Sequence, residues 1–165
     1  MSSNYGLDPM ILKSQIAQES YFNAQAISPD DPCGQIMQNG VDVGHSYGLM
    51  QMTPACITWF ARNPDGSIDL STNSTSPQWS NSAFNPVYNI NSAAQDWYST
   101  LQYAKQQLPG CTQTQYVYVV LSAYNAGFGS VSSCTSFSAQ GTQYANNVLA
   151  WYQKFASMAG IAYPY

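Results

Sequence analysis

The chain has 165 residues and a formal net charge of -4; only 7% of its residues are charged, while 14% are aromatic. Four basic residues are too few to neutralise a run of phosphates, which excludes nucleic acid as a partner and gives no electrostatic pull towards an anionic membrane or wall. The length fits a single domain, 1–165, with a sizeable core, and solubility must rest on Ser, Thr, Asn and Gln, a composition associated with secreted proteins.

No apolar run reaches the roughly 18 residues that a membrane-spanning helix needs. The opening Met1-Ser2-Ser3-Asn4-Tyr5 lacks the basic and apolar regions of a signal peptide. Export would therefore place the start of this chain after a processed leader.

The first predicted helix runs from Asp8 to about Phe22. Asp8 can cap the free backbone N–H groups, and Pro9 at the first helical position sacrifices no needed donor. Within it lies Ile16-Ala17-Gln18-Glu19-Ser20, which holds the only glutamate in the protein; the other seven acidic residues are aspartates. Counting back from Glu19 by three and then four residues reaches Ile16 and Leu12, so the carboxyl group is expected on or beside the stripe that faces the core. Partial withdrawal from water would raise its pKa into the range useful to a general acid. The competing reading is a buried glutamate satisfied by hydrogen bonds.

Asn23 to Tyr47, rich in Pro, Gly, Asp and Asn, reads as a long irregular loop, and long loops inside compact domains are often functional. It leads to a short apolar turn, Gly48-Leu49-Met50-Gln51-Met52, closed by Pro54. Arg62 to Pro86 reads as a surface excursion, in which Asn73-Ser74-Thr75 fits an N-glycosylation acceptor. Apolar residues at spacings of three and four predict a second helix over Asn89 to Leu108, stopped by Pro109 and Gly110. Gln115 to Ala126 is apolar almost all round; its Val and Tyr content allows a strand, but Gly127 and Gly129 just beyond favour a helix. A last helix from about Thr142 to Ala159 should bury Val148, Trp151, Tyr152 and Phe155 and stop at Gly160. No other stretch shows a strand pattern, so the fold class is mainly α.

Cys33, Cys56, Cys111 and Cys134 form no C-x-x-C pair, and His45 is the only histidine. Metal-ligand spacing is absent, and two disulfides in an oxidising compartment are expected instead. Four cysteines allow three pairings; the local one, Cys33 with Cys56 and Cys111 with Cys134, is preferred.

Glycosidic bond cleavage needs a proton donor to the leaving oxygen and often a second carboxylate. Glu19 is the candidate donor. For the second carboxylate the loop offers Asp30, Asp31 and Asp42, and Asp42 is preferred because it lies six residues before Gly48. An ordinary surface aspartate is the rival reading. Ser20 or Ser46 could pair with His45 on paper, but no nucleophile elbow surrounds either, and His45 is given no catalytic role.

Five motifs now stand in order: Ile16-Ala17-Gln18-Glu19-Ser20, Tyr47-Gly48-Leu49-Met50-Gln51, Asn85-Pro86 leading to Asn89-Ile90, Ala123-Tyr124-Asn125-Ala126-Gly127, and Tyr144-Ala145-Asn146-Asn147-Val148. Together they resemble the lytic transglycosylase and goose-type lysozyme group, glycoside hydrolase family 23. The resemblance implies a lysozyme-like helical fold and cleavage of the β-1,4 bond between N-acetylmuramic acid and N-acetylglucosamine in peptidoglycan. It places the catalytic acid on Glu19 and the substrate-cleft motifs on Ser20, on Tyr47, Gly48, Leu49, Met50 and Gln51, and on Tyr124 and Asn125. Asp42 has the spacing of an aspartate that positions water in the lysozyme branch, whereas Thr53 stands where a goose-type sequence can carry a second aspartate.

The resulting expectation is a secreted, extracellular, monomeric muramidase that acts on peptidoglycan glycan strands without a cofactor. Two alternatives stand beside it: a lytic transglycosylase that forms anhydromuramic products, and a sugar-binding protein without turnover.

Overall fold

The computed structural model describes residues 7–30, 32–72 and 81–165. Asp31 and the Asn73 acceptor site therefore lie outside the described residues. Among those described, the elements in order are α1 (Pro9–Ser20), β1 (Met37–Gln38), β2 (Val41–Asp42), α2 (Pro86–Gln107), α3 (Gln113–Ala126), a short 3₁₀ turn (Phe128–Ser130), β3 (Val131–Ser133), β4 (Ser136–Phe137) and α4 (Ala139–Ala159). The fold is mainly α with long loops, and it carries two disulfides. The chain divides into two compact units, Met1–Gln18 with Ala94–Tyr165, and Glu19–Ala93.

In the first unit α3 is the centre of the core. Val117, Val119, Val120 and Leu121 are at most 1% exposed, and each such side chain contributes about 1.5–3 kcal/mol on burial. The helix is set by a capping box in which the Thr112 hydroxyl accepts the Gln115 N–H and the Gln115 side chain accepts the Thr112 N–H. The helical reading of this stretch is thus the correct one, with a start two residues earlier than expected. α4 packs on α3 where Gly141 meets Ser122: a Cβ on Gly141 would lie 3.0 Å from the Ser122 Cβ, and the Ser122 hydroxyl donates to the Gly141 carbonyl at 3.2 Å.

α4 begins at Ala139, three residues before the expected Thr142, because the Ser138 hydroxyl caps it by accepting the Gly141 N–H. It ends where expected, at Gly160 in left-handed conformation. Val148 and Tyr152 are buried, but Trp151 and Phe155 are only half-buried, which corrects the expectation for these two. Their rings stack on each other at 5.7 Å, with the Lys13 Nζ 4.3 Å from the Phe155 ring centre and the Lys154 Nζ 4.8 Å from that of Trp151. Cations over the π faces let these rings remain partly at the surface.

Asp8 performs the predicted capping and more. Its Oδ1 accepts the Met10 N–H at 2.8 Å, while Oδ2 accepts the Tyr152 hydroxyl at 2.7 Å and the Tyr165 hydroxyl at 3.3 Å. Burial, with the Asp8 carboxylate beside it, pushes the Tyr152 phenol up to about 12, and the same causes raise Tyr165. Ionisation costs more in the fold than in the unfolded chain, so the stabilisation is complete below pH 10 and is lost as pH rises towards about 12. Titration of phenolate absorbance should show one late-ionising group fewer in Tyr152→Phe, with that of Tyr165 remaining; an unchanged high-pH limb in the variant would contradict this contact.

The second unit holds the short β1–β2 hairpin, in which Met37 faces Asp42 and Gln38 faces Val41. Its turn, Asn39-Gly40, has positive φ at both residues, 51° and 80°. The first unit holds the other hairpin, β3–β4. The expectation of no strands is corrected here: segments of two or three residues are too short to show alternation. The Gln38 side chain extends the hairpin's reach by donating to the Ile68 carbonyl and accepting its N–H at 3.1 and 2.7 Å. Cys33–Cys56 closes the loop of the second unit and Cys111–Cys134 a loop of the first, each with Cα atoms 5.5 Å apart. The local pairing is therefore the observed one, and each bridge restricts the unfolded chain by roughly 3 kcal/mol.

Candidate active site

α1 ends at Ser20, two residues before the expected Phe22. Leu12 and Ile16 are buried at 5% and 8% exposure and Glu19 is half-buried, so the carboxyl group sits at the edge of the apolar stripe as its spacing implied. The next residue fixes the helix end, because the buried Ser20 hydroxyl donates to the Leu49 carbonyl at 2.9 Å. Glu19 is thereby carried on a helix terminus bonded directly to the Gly48–Gln51 turn.

That turn is tight. Tyr47 and Met52 exchange backbone hydrogen bonds at 2.9 and 3.1 Å, and the Gly48 N–H donates to the Ala26 carbonyl. Gly48 has φ 77°, and Gln51 is held at φ 47°. The Gln51 amide nitrogen donates to the carbonyls of Gly48 and Ala26 at 2.9 and 3.3 Å, so this part of its side chain braces the turn. Tyr47, Leu49 and Met50 are buried, at 2%, 9% and 0% exposure, and their side chains belong to the interior.

Asn89 locks the turn from α2. Its Oδ1 accepts the Met50 N–H at 2.8 Å, and its Nδ2 donates to the carbonyls of Tyr47 and Ala83, both at 2.9 Å. Sequence reasoning placed Asn89 in a motif but assigned it no role. The available signal was a polar residue at a helical position that proves to be fully buried. α2 also begins three residues before the expected Asn89, since the Asn85 side chain accepts the N–H groups of Val87 and Tyr88 and Pro86 occupies the first helical position.

Asp42 closes β2, half-exposed. Its Oδ1 accepts the N–H groups of Gly44 at 2.9 Å and Ile36 at 3.3 Å. The Gly44 contact, with further help from the Gln35 side chain, Ile36 and the charge on His45, outweighs desolvation and holds the carboxyl below its ordinary value of 3.8. Thr53 pairs with Ser46, hydroxyl to hydroxyl at 2.6 Å, and both residues are buried.

Tyr124 and Asn125 lie in the first unit at the end of α3. Tyr124 stacks near Tyr144, with ring centres 6.3 Å apart, and the Asn125 Oδ1 accepts from the Gln140 amide at 3.1 Å. Tyr144 is in turn the acceptor for the buried Gln15 amide, a 3.4 Å contact between α1 and α4. Glu19, Ser20, Asp42 and the turn residues belong to the second unit, with Asp42 bonded to Ile36 and Gly44 rather than to the turn, whereas Tyr124 and Asn125 belong to the first.

Residues 1–148 match the family model described as Transglycosylase SLT domain. The chain belongs to this family. No curated protein matches it. The resemblance carried by the five motifs is therefore sound, and SLT membership makes this a lysozyme-like protein of the class that cleaves peptidoglycan. Among the described residues of the SLT chain, no helix is long and apolar enough to cross a membrane.

Proposed function

We propose that the protein is a secreted muramidase that hydrolyses the β-1,4 bond between N-acetylmuramic acid and N-acetylglucosamine. In this reading Glu19 protonates the leaving glycosidic oxygen and Asp42 orients the attacking water. Gln51, Tyr124 and Asn125 hold the sugars. The carrying observation is the state of Asp42: a half-exposed carboxylate, fixed in orientation by two backbone N–H groups and kept ionised by them. A carboxylate that orients water needs both properties, while an intramolecular closure on the sugar needs no second carboxylate. Two disulfides fit an oxidising, extracellular compartment.

The second reading is a lytic transglycosylase, in which Glu19 serves as acid and then as base. It is favoured by the matched family's own description and by Thr53, which offers a buried hydroxyl where the lysozyme branch can carry another aspartate.

The decisive experiment is digestion of purified peptidoglycan with product masses and reducing ends read together. Reducing muramic ends support hydrolysis; products lighter by one water support the transglycosylase. Asp42→Asn sharpens the test, because an amide oxygen can still accept from Gly44 and Ile36 while the charge is gone. Hydrolysis should fall by about tenfold to a hundredfold with little change in melting temperature. An unchanged rate would remove Asp42 from the chemistry and leave it a loop residue.

A further inference from the structure

The helix that carries Glu19 ends unlike the other helices whose termini are capped. α3 and α4 pass into Gly127 and Gly160, at φ 74° and 65°. α1 instead passes into Tyr21 at φ 50° and Phe22 at φ 66°. Left-handed backbone brings the Cβ of an L residue close to the following carbonyl, which is why glycine or asparagine usually fills such positions. Tyr21 accepts this strain and is still 77% exposed, so most of its ring lies outside the packed interior. Neither backbone comfort nor burial accounts for a large aromatic ring here, and strain of this kind concentrates at functional sites.

Its position supplies the reason. Two residues of chain reach at most about 7 Å, so the Tyr21 Cα stays close to that of Glu19. Ser20, between them, is anchored to the Leu49 carbonyl, so the aromatic residue extends from a fixed point. A protein with four basic residues and a net charge of -4 has few ionic means of holding a polymer. A pyranose ring offers an apolar face of C–H groups, to which a flat aromatic ring is complementary.

We infer that Tyr21 is a sugar-stacking residue, whose exposed ring holds a pyranose of the glycan strand beside the bond that Glu19 acts on. The inference rests on the reading of Glu19 as the acid of a peptidoglycan-cleaving enzyme, and its test has a separate readout.

In Glu19→Gln the strand is bound but not cut, so affinity for soluble, uncrosslinked peptidoglycan glycan strands can be measured by calorimetry. Adding Tyr21→Ala should weaken binding about fivefold to tenfold, and adding Tyr21→Trp should preserve it. Tyr21→Gly separates stacking from structure: glycine relieves the left-handed strain and should raise the melting temperature by about 2 °C, while affinity falls as in the alanine variant. Equal affinity with Tyr, Ala and Gly at this position would overturn the inference, as would no measurable affinity for the strands in any variant. Wild-type cleavage is assayed in parallel. Intact peptidoglycan after wild-type digestion would sink the enzymatic reading by its own readout, independently of the affinity ratios.

Discussion

Replacement of Glu19 by Gln is expected to reduce peptidoglycan cleavage by about a hundredfold to ten-thousandfold, the usual contribution of a positioned general acid. The substitution conserves size and hydrogen-bonding capacity but removes the transferable proton. Because Glu19 is half-buried at the helix edge and the Ser20–Leu49 bond holds the terminus, the fold should be unaffected. Reducing-end release and melting temperature, measured on the same preparations, separate the two effects. Loss of activity with an unchanged melting temperature makes Glu19 the acid; equal activity in the two proteins removes it from the mechanism.

The pH profile carries the same logic. If Glu19 is the general acid it must be protonated to donate, so the rate should decline on the alkaline side, and a rate still rising above about pH 9 would contradict an acid of this type. If Asp42 orients the attacking water, it must be ionised to do so. Its carboxyl is held below the ordinary 3.8, chiefly by the Gly44 N–H, so the acid limb should lie lower than for a free aspartate. The sign for stability agrees: a depressed folded pKa stabilises above the unfolded value, and that contribution disappears as pH falls through the folded one. Asp42→Asn should flatten the lowest-pH limb.

Features with a local cause were legible in the sequence. Asp8-Pro9 marked the start of α1 because a cap and a first-position proline are neighbours, and Gly160 marked the end of α4 for an equally local reason. The starts of α2 and α4 precede their apolar spacing, which begins only inside the helix. Asn85, just before Pro86, and Ser138 are the true caps, and Gly141, a poor helix former, is present because Ser122 packs against it. The β1–β2 hairpin announced itself only through Asn39-Gly40. Glu19 stood out as the single glutamate, but the Ser20–Leu49 and Asn89–Tyr47 bonds span 29 and 42 residues and leave no periodic trace. What made Glu19 a candidate was local; what positions it is not.

That long-range bracing leads to the second large effect, at Asn89. Asn89→Ala would leave the Met50 N–H and the carbonyls of Tyr47 and Ala83 without their side-chain partner inside the protein. The Tyr47 carbonyl keeps the Met52 N–H, so two groups are stripped of their partner at about 1–3 kcal/mol each, and a loss of at least about 2 kcal/mol is expected. In a chain of this size that lowers the melting temperature by roughly 4 °C or more. Asp at the same position could replace the acceptor to Met50 but not the two donations, and should rescue only in part. Gly48→Ala attacks the same contact from the opposite side. Its Cβ would lie 2.6 Å from the Asn89 Nδ2 and 2.7 Å from the Ala83 carbonyl, at a backbone φ of 77° that alanine rarely adopts. If Asn89 and Gly48 form one device, the double variant should be less destabilised than the sum of the singles, since the small residue at 89 removes one of the two clashes that the new methyl meets. Strict additivity in thermal or urea unfolding would show that the two residues act separately. Because the Leu49 carbonyl of this turn anchors the Ser20 hydroxyl, each variant should also lower kcat more than its residual fold stability accounts for. Such a deficit in the folded fraction would establish that Asn89, though it touches no reacting atom, sets where Glu19 stands.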